Sequence, residues 1–144
     1  MASEPRTTLL LDNDLFFVAK VRETLRHAGY ETRIARHVEG FAQALNEARI
    51  AVALVNTQAR GIDWSAAIAA AREVGVPVIA FGAHVDLETQ QRAREAGATR
   101  VISNARLASD LARIVTDVVA RGVREPGQQS PGQQPSGQGT TGQD

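Results

Sequence analysis

The chain reads as one α/β domain built on a parallel sheet of five strands with helices on both faces. Three observations carry that reading. Between Thr7 and Gly122, strand-like apolar runs alternate with amphipathic helical stretches five times; such alternation calls for right-handed crossovers and a sheet covered on both sides. The runs Leu9-Leu10-Leu11 and 50–55 are apolar without alternation, as strands buried on two faces are. Gly29, Gly75, Gly97 and Gly122 each follow a helical stretch, at the position where helices end.

The elements follow in order. Residues 8–11 form a buried strand. Residues 15–28 form a helix with Phe17, Val21, Leu25 and Ala28 on one face, capped at its start by Asp14, whose charge suits the positive end of the helix dipole. Residues 30–35 alternate and give a partly exposed strand. Residues 38–48 repeat apolar side chains at Phe41, Ala44, Leu45 and Ala48. Residues 50–55 are the central strand, 64–74 an Ala-rich helix, and 77–81 a strand whose Pro77 stands at its tolerated first position. Residues 86–96 are the most polar helix. A short strand at 100–102 precedes a strongly amphipathic helix at 107–120, built on Leu107, Leu111, Ile114, Val115 and Val118. Five strands and five helices in this sequence suit a flavodoxin-like (βα)5 doubly wound sheet in the order 2-1-3-4-5. Residues 1–6 read as a polar leader and 7–122 as the domain. From Val123 onward the composition turns to Gln, Gly, Pro and Ser, and 123–144 reads as a disordered tail unable to offset its ordering entropy by burial.

Composition narrows the function. Sixteen basic residues balance sixteen acidic ones, so the net charge is zero and the basic footprint of a nucleic-acid binder is missing. Without cysteine there is no thiolate nucleophile, thiolate metal site or disulfide framework. No apolar run has the length of a membrane span or a signal segment, which makes the cytoplasm the expected location. Lys20 is the sole lysine among the 16 basic residues. Any reaction that needs a lysine must use it.

The chemistry-bearing residues fall where strands end. Ligands bind at the carboxyl edge of such sheets, and Leu9-Leu10-Leu11-Asp12-Asn13-Asp14 carries acids to that edge. Asn56 ends the third strand, Gly82-Ala83 follows the fourth and Asn104-Ala105 the fifth. These positions, with Thr57-Gln58-Ala59-Arg60-Gly61-Ile62-Asp63 as a loop and Gly97-Ala98 before the last strand, resemble the receiver domain of two-component response regulators, over Thr7 to about Gly122. The resemblance implies an acidic pair at Asp12-Asn13, a phosphoacceptor Asp at 56, a Thr or Ser at 82, a Lys-Pro at 104–105, an aromatic switch residue at 101 and a Pro at 60. Here those places hold Asn13, Asn56, Gly82, Asn104-Ala105, Val101 and Arg60. An amide cannot act as the carboxylate nucleophile of phosphoryl transfer, and the cation and hydroxyl that hold the phosphoryl group are missing with it. Mg²⁺ prefers carboxylates in an octahedral set, and Asp12 alone leaves at most a weak site, so no metal and no cofactor are expected.

The implied role is a degenerate, pseudo-receiver domain: a phosphorylation-independent regulatory and protein-interaction module of bacterial signal transduction, not an enzyme. Its partner, a protein or a second copy, would meet the face formed by the fourth helix, fifth strand and fifth helix, where Arg92, Arg94, Arg100 and Arg106 cluster; neither nucleic acid nor membrane is expected to bind. The alternative is a Mg-dependent phosphotransfer domain or a haloacid-dehalogenase-like phosphatase, with Asp12 as nucleophile and Asp14 as acid/base. That second family also needs a later Thr/Ser, a Lys and an acidic pair, none suitably placed. Trp64, beside the mouth of the pocket, either caps it or packs at the edge of the core.

Overall fold

The computed structural model describes residues 6–123. The elements are β1 (Thr7–Leu11), α1 (Leu15–His27), β2 (Glu31–Ala35), α2 (Val38–Glu47), β3 (Ile50–Asn56), α3 (Trp64–Glu73), β4 (Val78–Gly82), α4 (Leu87–Ala96), β5 (Arg100–Ser103) and α5 (Asn104–Val123). The five strands form one sheet in the order β2-β1-β3-β4-β5, and every pairing is parallel. This is the flavodoxin-like (βα)5 arrangement that the alternation of elements predicts. The leader up to residue 5 and the tail from residue 124 lie outside the described residues. Among the described residues no helix is long and apolar enough to cross a membrane.

Strand periodicity divides the core in two. Leu9, Leu11, Ala53, Val55, Val78 and Ala80 face α2, α3 and α4, packing with Phe41, Leu45, Ala67, Ile68 and Ala71. Leu10, Val52, Leu54, Ile79 and Phe81 face the opposite way, against Val21 and Leu25 of α1 and Leu107, Leu111, Ile114 and Val118 of α5. Small side chains fill the first layer and let three helices approach it. Phe17 crosses to Phe81 with ring centroids 5.3 Å apart, while its neighbour Phe16 is 92% exposed.

Several boundaries differ from the periodicity reading. The last helix begins at Asn104 rather than 107, because Ser103 Oγ accepts the Arg106 N–H at 3.1 Å and caps a first turn without an apolar stripe. Its backbone leaves helical geometry at Asp110 (φ −127°, ψ 24°), so α5 is two helical segments joined by a kink. Asn56 and Gly82 are the closing residues of their strands, and Asp86 lies outside α4 as its cap.

Arg6 joins the fold at the opposite end of the sheet. Its guanidinium donates to Gly29 O and Ala28 O and lies 4.5 Å from the centre of the buried Tyr30 ring. It thus satisfies carbonyls left open at the end of α1. Gly97 closes α4 in the left-handed region (φ 120°), and a side chain there would run into Arg72.

Candidate functional site

The carboxyl ends of β1, β3, β4 and β5 adjoin one another in the sheet, which gathers Asp12, Asn13, Asn56, Gly82 and Asn104 along one edge. Asp12 is fully buried there. Its Oδ1 accepts the backbone N–H of Asn13 at 2.7 Å, that of Asp14 at 3.2 Å and the Nδ2 of Asn56 at 3.0 Å. Its Oδ2 is buried without any hydrogen-bond partner. Among the described residues no cation is paired with it: burial pushes the Asp12 carboxyl above its ordinary value, the three hydrogen bonds oppose the rise, and the charge of Asp14 adds to it.

Asn56 is fixed in orientation by its two bonds. Its Oδ1 accepts the Gln58 N–H at 2.8 Å, so its Nδ2 must point at Asp12. Asn13 turns outward, and its Nδ2 donates to Arg60 O at 3.0 Å. Asn104 opens α5, with Oδ1 buried and unpartnered. At Gly82 there is no room for a side chain: a Cβ would stand 2.6 Å from Thr57 Oγ1 and 3.1 Å from Gln58 Oε1. Thr57 is itself held by Phe81 O, which accepts both its N–H at 2.8 Å and its hydroxyl at 3.2 Å.

Asp14 does not join the pocket. Its Oδ1 accepts the N–H groups of Phe16 and Phe17 at 3.1 and 3.3 Å, the N-cap role that its position before the helix suggests. These contacts bear on a divalent cation. The single pocket carboxylate has Oδ1 saturated, Asn56 presents a donor to it, and Asn13 is bonded elsewhere. This set does not fit the oxygen octahedron that Mg²⁺ demands. Among the described residues no three His, Cys, Asp or Glu side chains are grouped to hold a metal ion.

The four arginines take separate surroundings. Arg92 lies 4.6 Å from the centre of the Trp64 ring, which joins α4 to the start of α3. Arg100 pairs with Asp117 at 2.6 Å, and Asp117 also receives Arg121 at 3.2 Å. Arg94 lines a shallow groove on α4 with Leu87, Gln90, Gln91 and Glu95. Arg106 stands in the first turn of α5, exposed. Val101 is half-buried on β5, opposite Ala80 and against the cluster below the sheet. Lys20 is exposed on α1.

Gln58 is the site residue that sequence reasoning passes over. Its side-chain Oε1 accepts the His84 N–H at 3.0 Å, bridging the loops after β3 and β4. A glutamine in a polar loop gives no periodic or motif signal. The neighbouring glycine at 82 is the only hint that something else fills the space.

No family model and no curated protein matches the chain. Solved structures do match. A CheY-like response regulator receiver domain protein from Methanospirillum hungatei JF-1 superposes with a TM-score of 0.75 at 18% identity, over 83% of this chain and 97% of that one. A response regulator from Chloroflexus aurantiacus J-10-fl reaches 0.73 at 24% identity, over 82% and 100%. The receiver domain of a sensor histidine kinase from Pseudomonas aeruginosa PAO1, with a magnesium ion coordinated in its active-site cleft, gives 0.71 at 18% identity, over 81% and 98%. With its strand order, its two-faced core and its edge of residues at Asp12, Asn56, Gly82 and Asn104, this chain has the fold of a response-regulator receiver domain.

Proposed function

We propose that the chain is a pseudo-receiver: a receiver-fold module of signal transduction that works without aspartyl phosphorylation, through protein contacts and not as an enzyme. One observation carries the reading. The position that needs a carboxylate nucleophile holds Asn56, and its amide is spent on an internal bond to Asp12 at 3.0 Å. The remaining carboxylate, Asp12, has a buried Oδ2 and, among the described residues, no neighbouring cation to steady an incoming phosphoryl group. The phosphatase alternative needs Asp14 free for proton transfer, and that side chain is occupied as a helix cap.

Partner contact is assigned to the face of α4, β5 and α5. Arg100 is already neutralised by Asp117, so Arg94 and Arg106 supply the charge on that face that steers an acidic partner or a second copy. Incubation with Mg²⁺ and acetyl phosphate, followed by intact-mass measurement, tests the central claim. No adduct is expected. A stoichiometric acyl phosphate on any Asp overturns it.

A further inference from the structure

Gln58 ties together two loops that the backbone alone leaves separate. Its N–H donates to Asn56 Oδ1 at 2.8 Å, which fixes the root of the loop after β3. Its Oε1 accepts the His84 N–H at 3.0 Å, in the middle of the loop between β4 and α4. Between these two bonds the side chain passes over Gly82, where a Cβ would stand 3.1 Å from Oε1. A side chain at 82 would require the side chains of Thr57 and Gln58 to shift.

The near end of the β4–α4 loop is bonded to the loop after β3, whereas its far end is bonded only to the first turn of α4, with which it moves. Before His84, Phe81 O holds Thr57 by two bonds. After it, Asp86 Oδ1 accepts the Thr89 N–H at 2.8 Å and Val85 O accepts Gln90 Nε2 at 3.0 Å. The Gln58 bond is the side-chain tether at the centre of this connection. Three residues further on, Leu87 opens α4 with 82% of its surface exposed.

We infer that Gln58 is an internal latch: its amide oxygen holds the β4–α4 loop, and with it the exposed first turn of α4, in one conformation that needs no bound group. The inference rests on the reading of the pocket as unphosphorylated and names the residue that does the holding. The occupant that fixes the loop is part of the chain, so the α4 surface is presented permanently. Any change of that surface must break a hydrogen bond at His84.

Amide hydrogen exchange on the full chain, read residue by residue by NMR, tests the latch. Gln58→Met keeps the length of the side chain and removes the acceptor; Gln58→Glu keeps an oxygen at the same place. In Gln58→Met the His84 amide should exchange about tenfold faster, the equivalent of ~1.4 kcal/mol for one net hydrogen bond. The increase should spread to residues 83–86 and the first turn of α4 and leave β1 and α1 unchanged. Gln58→Glu should exchange as the wild type does. The latch is overturned if His84 exchange in Gln58→Met stays within twofold of wild type, or if Gln58→Glu loses as much protection as Gln58→Met. A phosphorylated wild-type chain would remove the pseudo-receiver reading and leave these rates untouched; unchanged rates would remove the latch alone.

Discussion

Asp12→Asn should make this domain more stable at neutral pH, although it alters a buried residue with three hydrogen bonds. All three donors converge on Oδ1, which an asparagine oxygen replaces in kind. What changes is Oδ2, an oxygen with no partner inside the protein. Burial lifts the Asp12 carboxyl above its ordinary 3.8. Each unit of such a lift corresponds to ~1.36 kcal/mol by which ionisation disfavours the folded state. The sign follows from linkage. Below about the unfolded value both states are protonated and the stability of the fold is complete. As pH rises the unfolded chain ionises first, and stability is lost until pH has passed the raised folded value. The amide adds N–H groups that lack a partner, which takes back part of the gain. The net expectation is a gain in stability for Asp12→Asn at pH 7 that shrinks as pH falls to that of an ordinary carboxyl.

Urea unfolding of both proteins between pH 3.5 and 8 measures this directly. The difference between the two curves must be used. Glu23, Glu47, Asp63 and Asp86 have carboxyls lowered by Arg26, by Arg33 and by backbone N–H groups at Ala66 and Thr89 respectively, and these contribute stability that is lost in acid. Their slope opposes that of Asp12 and cancels in the difference. Asp12→Ala serves as the control: it abandons all three donors and should cost about 2–4 kcal/mol. An Asp12→Asn protein less stable than wild type at pH 7, or a difference that does not vary with pH, would refute the reasoning.

Three further outcomes are expected. Asn56→Asp replaces the donor to Asp12 with a second carboxylate and should destabilise the domain at pH 7 by about 2 kcal/mol; millimolar Mg²⁺ should recover part of that loss in a thermal melt, and no recovery would mean that carboxylates at 12 and 56 together do not make a cation site. Gly82→Ala forces a Cβ to within 2.6 Å of Thr57 Oγ1 and should cost about 1–3 kcal/mol by urea unfolding, with Thr57→Ala restoring part of it in the double variant. Asp14→Ala removes the cap of α1 and should cost about 1 kcal/mol; a neutral result would mean that the two N–H bonds contribute nothing.

Local rules made much of the fold legible before the structure. Asp14 precedes an apolar stripe and the structure gives it the cap. Leu9 to Leu11 is unbroken by polar residues because both faces of β1 are buried. The start of α5 was illegible because its first turn is set by Ser103 Oγ and carries no stripe. Arg6 was illegible because its partners, Ala28 and Gly29, are carbonyls on a distant turn. At the site, the positions of Asp12, Asn56, Gly82 and Asn104 could be read from strand ends alone. How Asn56 is oriented, and what stands over Gly82, depend on contacts between loops that no sequence spacing encodes.

The neutral residues at the pocket make sense only as a set. A lysine at 104 without acids opposite would be a cation beside a sheet edge with a single carboxylate, and acids at 13 and 56 without lysine or metal would crowd like charges around a buried Asp12. Either partial state leaves charge in low dielectric without compensation, at a cost of several kcal/mol. With Asn13, Asn56 and Asn104 together, only one charge remains, and three hydrogen bonds meet it at Oδ1. Gly82 and Gln58 form a second pair of the same kind, since the side chain of Gln58 fills the space that a residue larger than glycine would take. Single reversals therefore act against their surroundings: Asn56→Asp recreates repulsion, and any side chain at 82 collides with Thr57. On the proposed pseudo-receiver reading, phosphoryl chemistry would require changes at 56, 82 and 104 at once, together with a shift of the Gln58 side chain from above residue 82.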